Sequence, residues 1–177
     1  MVRILEIQAM TDLIAQYRAI AAGGASLRGL SILQHAKQIG ALVKQHEAKR
    51  LLDYGCGAGD AYRQPHRIHR DWGLQWFDVT LYDPAFREHD GKPHGKFDGV
   101  ICSDVLEHVP EADVDAFIAN LFTHAKKFVW ASVCCRPAKK CFADGTNLHC
   151  TVQPFAWWQA KFEEQCEGLP FVLVETP

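Results

Sequence analysis

One ten-residue stretch, Leu51-Leu52-Asp53-Tyr54-Gly55-Cys56-Gly57-Ala58-Gly59-Asp60, constrains this chain more than any other. Two apolar residues lead into an acid, and three glycines follow at alternate positions. That order fits the end of a buried strand, a tight turn and the start of a helix. Glycines there admit positive φ and let backbone amides approach a ligand with no Cβ in the way. The spacing is G-x-G-x-G, not the G-x-G-x-x-G of a dinucleotide-binding turn. A carboxylate at the strand end repels a pyrophosphate but pairs with an ammonium group. The stretch therefore favours a ligand with a cationic amino-acid end over one that presents phosphate first. Read alone, it also fits a strand–turn–helix junction with no ligand.

Two further segments narrow the choice. Val79-Thr80-Leu81-Tyr82-Asp83-Pro84 is an apolar run ending in an acid, with Asp83 24 residues beyond Gly59. In a βαβ unit the next strand ends beside the first, so its terminal carboxylate can accept hydrogen bonds from ribose hydroxyls. The third segment is Phe97-Asp98-Gly99-Val100-Ile101-Cys102-Ser103-Asp104-Val105-Leu106-Glu107-His108-Val109, a buried strand followed by an acidic turn that carries a histidine. In order and spacing the three segments resemble the motifs of class I S-adenosylmethionine-dependent methyltransferases. The third is similar to the fourth-strand motif of the small-molecule enzymes, including the O-methyltransferases of quinone biosynthesis. The resemblance covers roughly residues 51–174 and is less specific over the first fifty.

The resemblance implies an α/β fold in one domain, a Rossmann-like methyltransferase sheet with helices on both faces. Residues 1–47 read as an N-terminal helical cap and 48–177 as the core. Leu13, Ile14, Tyr17, Ile20 and Ala21 have helical spacing, and Gly23-Gly24 ends the pattern. A second helix starts at Ser31, where Ser31 and Gln34 have the spacing of a capping box. Strands are expected at 50–54, 76–82, 99–103, 127–133 and 171–174. Pro65 breaks the helix after the glycine turn. Pro110, Glu111 and Asp113 open a helix striped with Val114, Phe117, Ile118, Leu121 and Phe122, and Pro154 opens another with Phe155, Trp158 and Phe162. Only twelve residues separate Pro84 from Phe97, too few for the helix and strand the family usually places there. The edge strand is thus expected to be reduced or missing, and with it the acid that contacts the adenine amino group. The family usually ends in an antiparallel hairpin, of which one strand is visible. The fold is then minimal or the chain shortened.

Composition excludes several classes. The 177 residues carry 19 Lys+Arg against 21 Asp+Glu, a formal charge of −2, so no basic excess is present to hold a phosphate backbone. The Arg63, His66, Arg67, His69, Arg70 cluster reads as a solvated face. No run approaches a membrane span, and the N-terminus lacks a signal-peptide pattern. Seven cysteines, an odd number outside a small secreted scaffold, read as free thiols in a cytoplasmic protein. Cys134, Cys135, Cys141 and Cys150 with His149 lack C-x-x-C spacing, so no metal is assigned.

The resemblance supplies roles for residues. The turn Asp53, Tyr54, Gly55, Cys56, Gly57 and Gly59 would hold the methionine part of S-adenosylmethionine, with Asp53 near its ammonium group. Asp83 would bind the ribose, Tyr82 and Pro84 would touch the adenine, and Ser103 would face the methionine. Arg28 either pairs with the cofactor carboxylate, which its fork matches, or lies free on the surface. An O or N acceptor that must lose a proton suits a histidine. His108, with Glu107 before it, and His149 are the candidates, each also readable as structural. Trp157 reads as packing or as one wall of an acceptor pocket. The expected activity is methyl transfer to a small-molecule or sugar-like metabolite, leaving S-adenosylhomocysteine. A non-catalytic cofactor-binding subunit and a nucleic-acid or protein methyltransferase remain alternatives.

Overall fold

Residues that alternate along short apolar runs divide between two cores. Leu51 and Leu52 point to opposite faces, as do Phe128 and Val129, and Trp130 and Ala131. Strands apolar on both faces suit a parallel sheet covered on both sides. The computed structural model describes residues 2–23 and 27–177, with side chains from Thr11 onward. Five strands form one sheet: β1 (Leu51–Tyr54), β2 (Val79–Tyr82), β3 (Phe97–Ser103), β4 (Ala125–Cys134) and β5 (Phe171–Thr176). Their order is β2-β1-β3-β4-β5, and every neighbouring pair is parallel.

Helices cover both faces. On one, α2 (Ala36–Gln45) and α3 (Ile68–Asp71) bury Ile39, Val43 and Ile68 against Leu51, Ile101 and Trp130. On the other, α4 (Val114–His124) and α5 (Phe155–Gln165) bury Ile118, Leu121, Trp158 and Phe162 against Leu52, Val100, Val129 and Ala131. Each such large apolar side chain stabilises the fold by about 1.5–3 kcal/mol. Helix α1 (Val2–Ala22) precedes this frame. Among the described residues no helix is long and apolar enough to cross a membrane.

Residues 83–96 between β2 and β3 form turns without a strand, so β2 is the sheet edge. Four expectations are corrected. The second strand begins at Val79 and not at 76, because Gln75 and Asp78 cap a 3-10 turn over Trp76–Asp78 that leaves Trp76 and Phe77 exposed. No capping box forms at Ser31, since Ser31–His35 is a 3-10 turn and the Ser31 hydroxyl lies 3.0 Å from that of Ser103. The last strand belongs to no antiparallel hairpin, and β5 lies parallel to β4 with Trp130 opposite Val172. His69 leaves the supposed solvated face and is 4% exposed, packed beside Tyr62.

Gly99 marks a close approach between sheet and side chain. A Cβ there would overlap the Phe128 ring, which is buried and has no room to withdraw. Gly99→Ala is expected to lower the urea-unfolding free energy by about 1–3 kcal/mol. Phe128→Leu in the same chain should restore part of that loss in a double-mutant cycle.

Candidate functional site

The strand order reverses at β1, which lies between β2 and β3. Open α/β sheets bind ligands outside the carboxyl ends of the strands at such a switch point. A cavity of about 490 Å³ lies there, bounded by Tyr54 and Gly55 after β1, Tyr82 and Asp83 after β2, and Ser103 and Asp104 after β3. Its size falls within the usual range of about 300–1,000 Å³ for small-molecule sites.

The glycine turn is its floor. Gly55, Gly57 and Gly59 have φ of 96°, 59° and 71°. Gly55 N–H and Cys56 N–H donate to the Tyr82 carbonyl at 2.7 and 3.1 Å. Gly57 N–H donates to Asp83 Oδ2 and Ala85 N–H to Asp83 Oδ1, each at 2.9 Å. A second segment presses on the turn from outside. Ala58 N–H donates to the Leu27 carbonyl at 3.0 Å, and Asp60 N–H to that of Arg28 at 3.1 Å. A Cβ on Gly57 would meet the Leu27 carbonyl, and one on Gly29 would overlap that of Cys56, so both positions exclude larger residues.

Tyr54, Gly55, Gly57, Tyr82, Asp83, Pro84, Ser103 and Arg28 all border the cavity. Arg28 is nevertheless engaged, its Nε donating to Asp60 Oδ2 at 2.7 Å, so it is not a free surface arginine. Asp53, Cys56 and Gly59 do not border the cavity. Asp53 is 3% exposed, on the Leu51 side of β1 and behind the turn, because alternate strand residues share a face. Burial lifts its carboxyl to about 7; the nearby Tyr62 hydroxyl opposes the rise and the Asp83 charge adds to it. Burial likewise raises Asp83, against the two amides that donate to it. Trp157 packs edge-on against Trp158 with Lys161 over its ring, away from the cavity.

Several bordering residues carried no role in the sequence. Leu13, Ile14 and Tyr17 project from α1 into the cavity; the sequence placed them on a helical cap without giving any of them a site role of its own. Asp104, inside the third motif, adopts a φ of 53°. Its Oδ1 accepts from the Ser132 hydroxyl at 2.7 Å, and the hydroxyls of Ser132, Ser103 and Ser31 continue the chain at 3.3 and 3.0 Å.

Beyond Asp104 the 3-10 turn Leu106–His108 carries Glu107 and His108, and folding brings His149 to them. The Tyr17 hydroxyl lies 2.7 Å from His108 Nδ1 and donates to the Leu148 carbonyl at 2.8 Å; Nδ1 lies 2.9 Å from the same carbonyl. His149 Nδ1 lies 2.5 Å from the Arg136 carbonyl. Asn147 shapes this loop, bonding both polar groups of Ala138 and accepting from His149 N–H, all at 2.9 Å. Glu107 is 1% exposed; its Oε1 accepts from Cys134 N–H at 3.2 Å, and Oε2 has no partner. Burial pushes Glu107 up to about 8 and His108 down to about 4. Near pH 7 both are therefore mainly uncharged. His108 also borders a second cavity of about 640 Å³, shared with His149, Cys134 and Arg136.

A family model described as a methyltransferase domain matches residues 31–168. No curated protein and no solved structure matches the chain.

Asp53 yields a pH test of stability. Its folded pKa is raised, so the stability it contributes is complete below its unfolded value near 4 and is lost as pH rises through about 7. Asp53→Asn should flatten the fall in Tm between pH 4 and 7 by several degrees, measured by calorimetry without ligand.

Proposed function

This chain belongs to the methyltransferase domain family, and on that premise we propose that it transfers a methyl group from S-adenosylmethionine to an oxygen or nitrogen of a small-molecule or sugar-like metabolite. The observation that carries this reading is one cavity bordered at one end by the glycine turn and Asp83 and at the other by His108. The residues fit the methyl donor. The turn offers a cradle that side chains would fill, and Asp83 reaches the cavity with two carboxylate oxygens, each with one lone pair beyond its backbone bond.

We assign Gly55, Gly57 and Ser103 to the methionine part of the donor, Asp83 to the ribose, and Tyr82, Pro84 and Phe86 to the adenine. When bound, S-adenosylmethionine supplies a sulfonium-activated methyl group. The protein then has to align the acceptor and keep water out. Leu13, Ile14, Val105 and Phe117 supply the apolar wall for that purpose. Burial keeps His108 neutral, and the Leu148 carbonyl holds Nδ1–H, which leaves Nε2 with its lone pair for the acceptor's proton. Glu107 and His149 do not border this cavity: Glu107 is buried beside His108, and His149 borders the second cavity. The charge of −2 favours a metabolite over a nucleic acid.

Calorimetric titration with S-adenosylhomocysteine, with NAD as control, tests the donor site, and binding of the first alone is the expected result. Asp83→Ala should weaken it about tenfold or more, the cost of a charge-assisted contact; unchanged affinity would remove the ribose assignment. His108→Ala should bind S-adenosylhomocysteine normally yet slow methyl transfer to a metabolite acceptor about a hundredfold. Wild-type rates in that variant would dismiss the role given to His108.

A further inference from the structure

We propose that Glu107, His108 and His149 form a binding site for one divalent transition-metal ion. One donor atom from each lies within 4.8 Å of the others. Ligands on a common ion at about 2.1 Å stand roughly 3–3.5 Å apart, so a contraction of at most about 1.3–1.8 Å closes the set. Glu107 and His108 share one 3-10 turn, whereas His149 comes from the separate loop after β4, so the contraction falls on that loop.

Three independent features of hydrogen bonding single out this cluster. Each histidine has its Nδ1 against a backbone carbonyl, Leu148 for one and Arg136 for the other. A carbonyl can only accept, so Nδ1 carries the hydrogen and Nε2 presents a lone pair. That is the arrangement by which proteins fix a metal-binding imidazole. The third feature is Glu107 Oε2, an oxygen of a fully buried carboxyl that no protein group satisfies. An unpaired buried carboxyl oxygen is costly, and a cation is the partner that removes the cost most completely. Backbone contacts support the set from behind, with Cys134 N–H on the other Glu107 oxygen and Asn147 holding the His149 amide.

The donor set chooses the ion. Two imidazoles and one carboxylate suit Zn²⁺, Co²⁺, Mn²⁺ or Fe²⁺, whereas Mg²⁺ and Ca²⁺ prefer oxygen ligands throughout. Three protein ligands leave at least one coordination position open. His108 borders both cavities, so the ion would stand where they meet. Resting on the methyl-transfer reading, the open position takes the acceptor's oxygen or nitrogen, lowers its pKa so that its proton leaves to water, and holds it facing the donor site; with the ion bound, His108 Nε2 is a ligand, and that role replaces the base role it has in the metal-free reading.

The test uses untagged full-length protein freed of metal by chelation. Titration with Co²⁺ should give visible d–d bands that saturate at one equivalent, that Zn²⁺ abolishes and that millimolar Mg²⁺ leaves in place. Glu107→Gln and His149→Ala should each weaken Co²⁺ binding at least tenfold. His149→Ala alters only a half-buried loop side chain, and circular dichroism confirms its fold. No Co²⁺ bands, full binding in His149→Ala, or a thiolate charge-transfer band from Cys134 or Cys150 would overturn the site. S-adenosylhomocysteine calorimetry on the same samples separates the two readings. Cobalt bound with no S-adenosylhomocysteine binding would leave the metal site standing and remove the methyl-transfer reading.

Discussion

Every part of the site depends on how the ends of β1 and β2 are tied together. The Tyr82 carbonyl accepts two successive amides of the glycine turn, and the Asp83 carboxylate accepts a third. These bonds fix the turn in left-handed conformations that only glycine adopts at low cost. They also leave Asp83 at the cavity edge with its orientation set on both oxygens. A half-buried acid raised by desolvation is retained there because backbone donors satisfy it.

The N-terminal segment completes the enclosure through contacts that span much of the chain. Arg18 donates from Nε and Nη2 to the Pro84 carbonyl at 3.0 and 2.8 Å, which ties α1 to the loop after β2. The residue before it, Tyr17, bonds to the Leu148 carbonyl beside His108. Leu27 and Arg28 then bond to the glycine turn itself. Helix α1 thus contacts both ends of the cavity, and its apolar residues close the side between them.

Burial, rather than paired charge, sets the protonation of the polar groups around the site. It lifts Asp53 to about 7 and Glu107 to about 8, and it lowers His108 to about 4. A region that disfavours charge on its own groups strengthens any interaction with a cation that enters, because little water remains to screen it. A sulfonium, an ammonium group and a metal ion are all ligands of that kind.

The sequence by itself determined the parallel sheet, the glycine turn, Asp83 at the end of β2 and the lost edge strand. The glycine spacing and the twelve-residue gap are local patterns, and the sheet and its missing edge strand are what the family resemblance carried by those patterns implies. It also offered Glu107, His108 and His149 as candidates for the chemistry, each also readable as structural. Their convergence belongs to the tertiary structure, since a loop organised by Asn147 carries His149 across 40 residues to its neighbours. The burial of Asp53 behind the turn, the capture of Arg28 by Asp60, and the entry of Tyr17 and Asp104 into the cavity wall were decided there too. In each case the deciding contact joins distant segments. Residue type and spacing record which groups a chain carries, and only packing settles which of them meet.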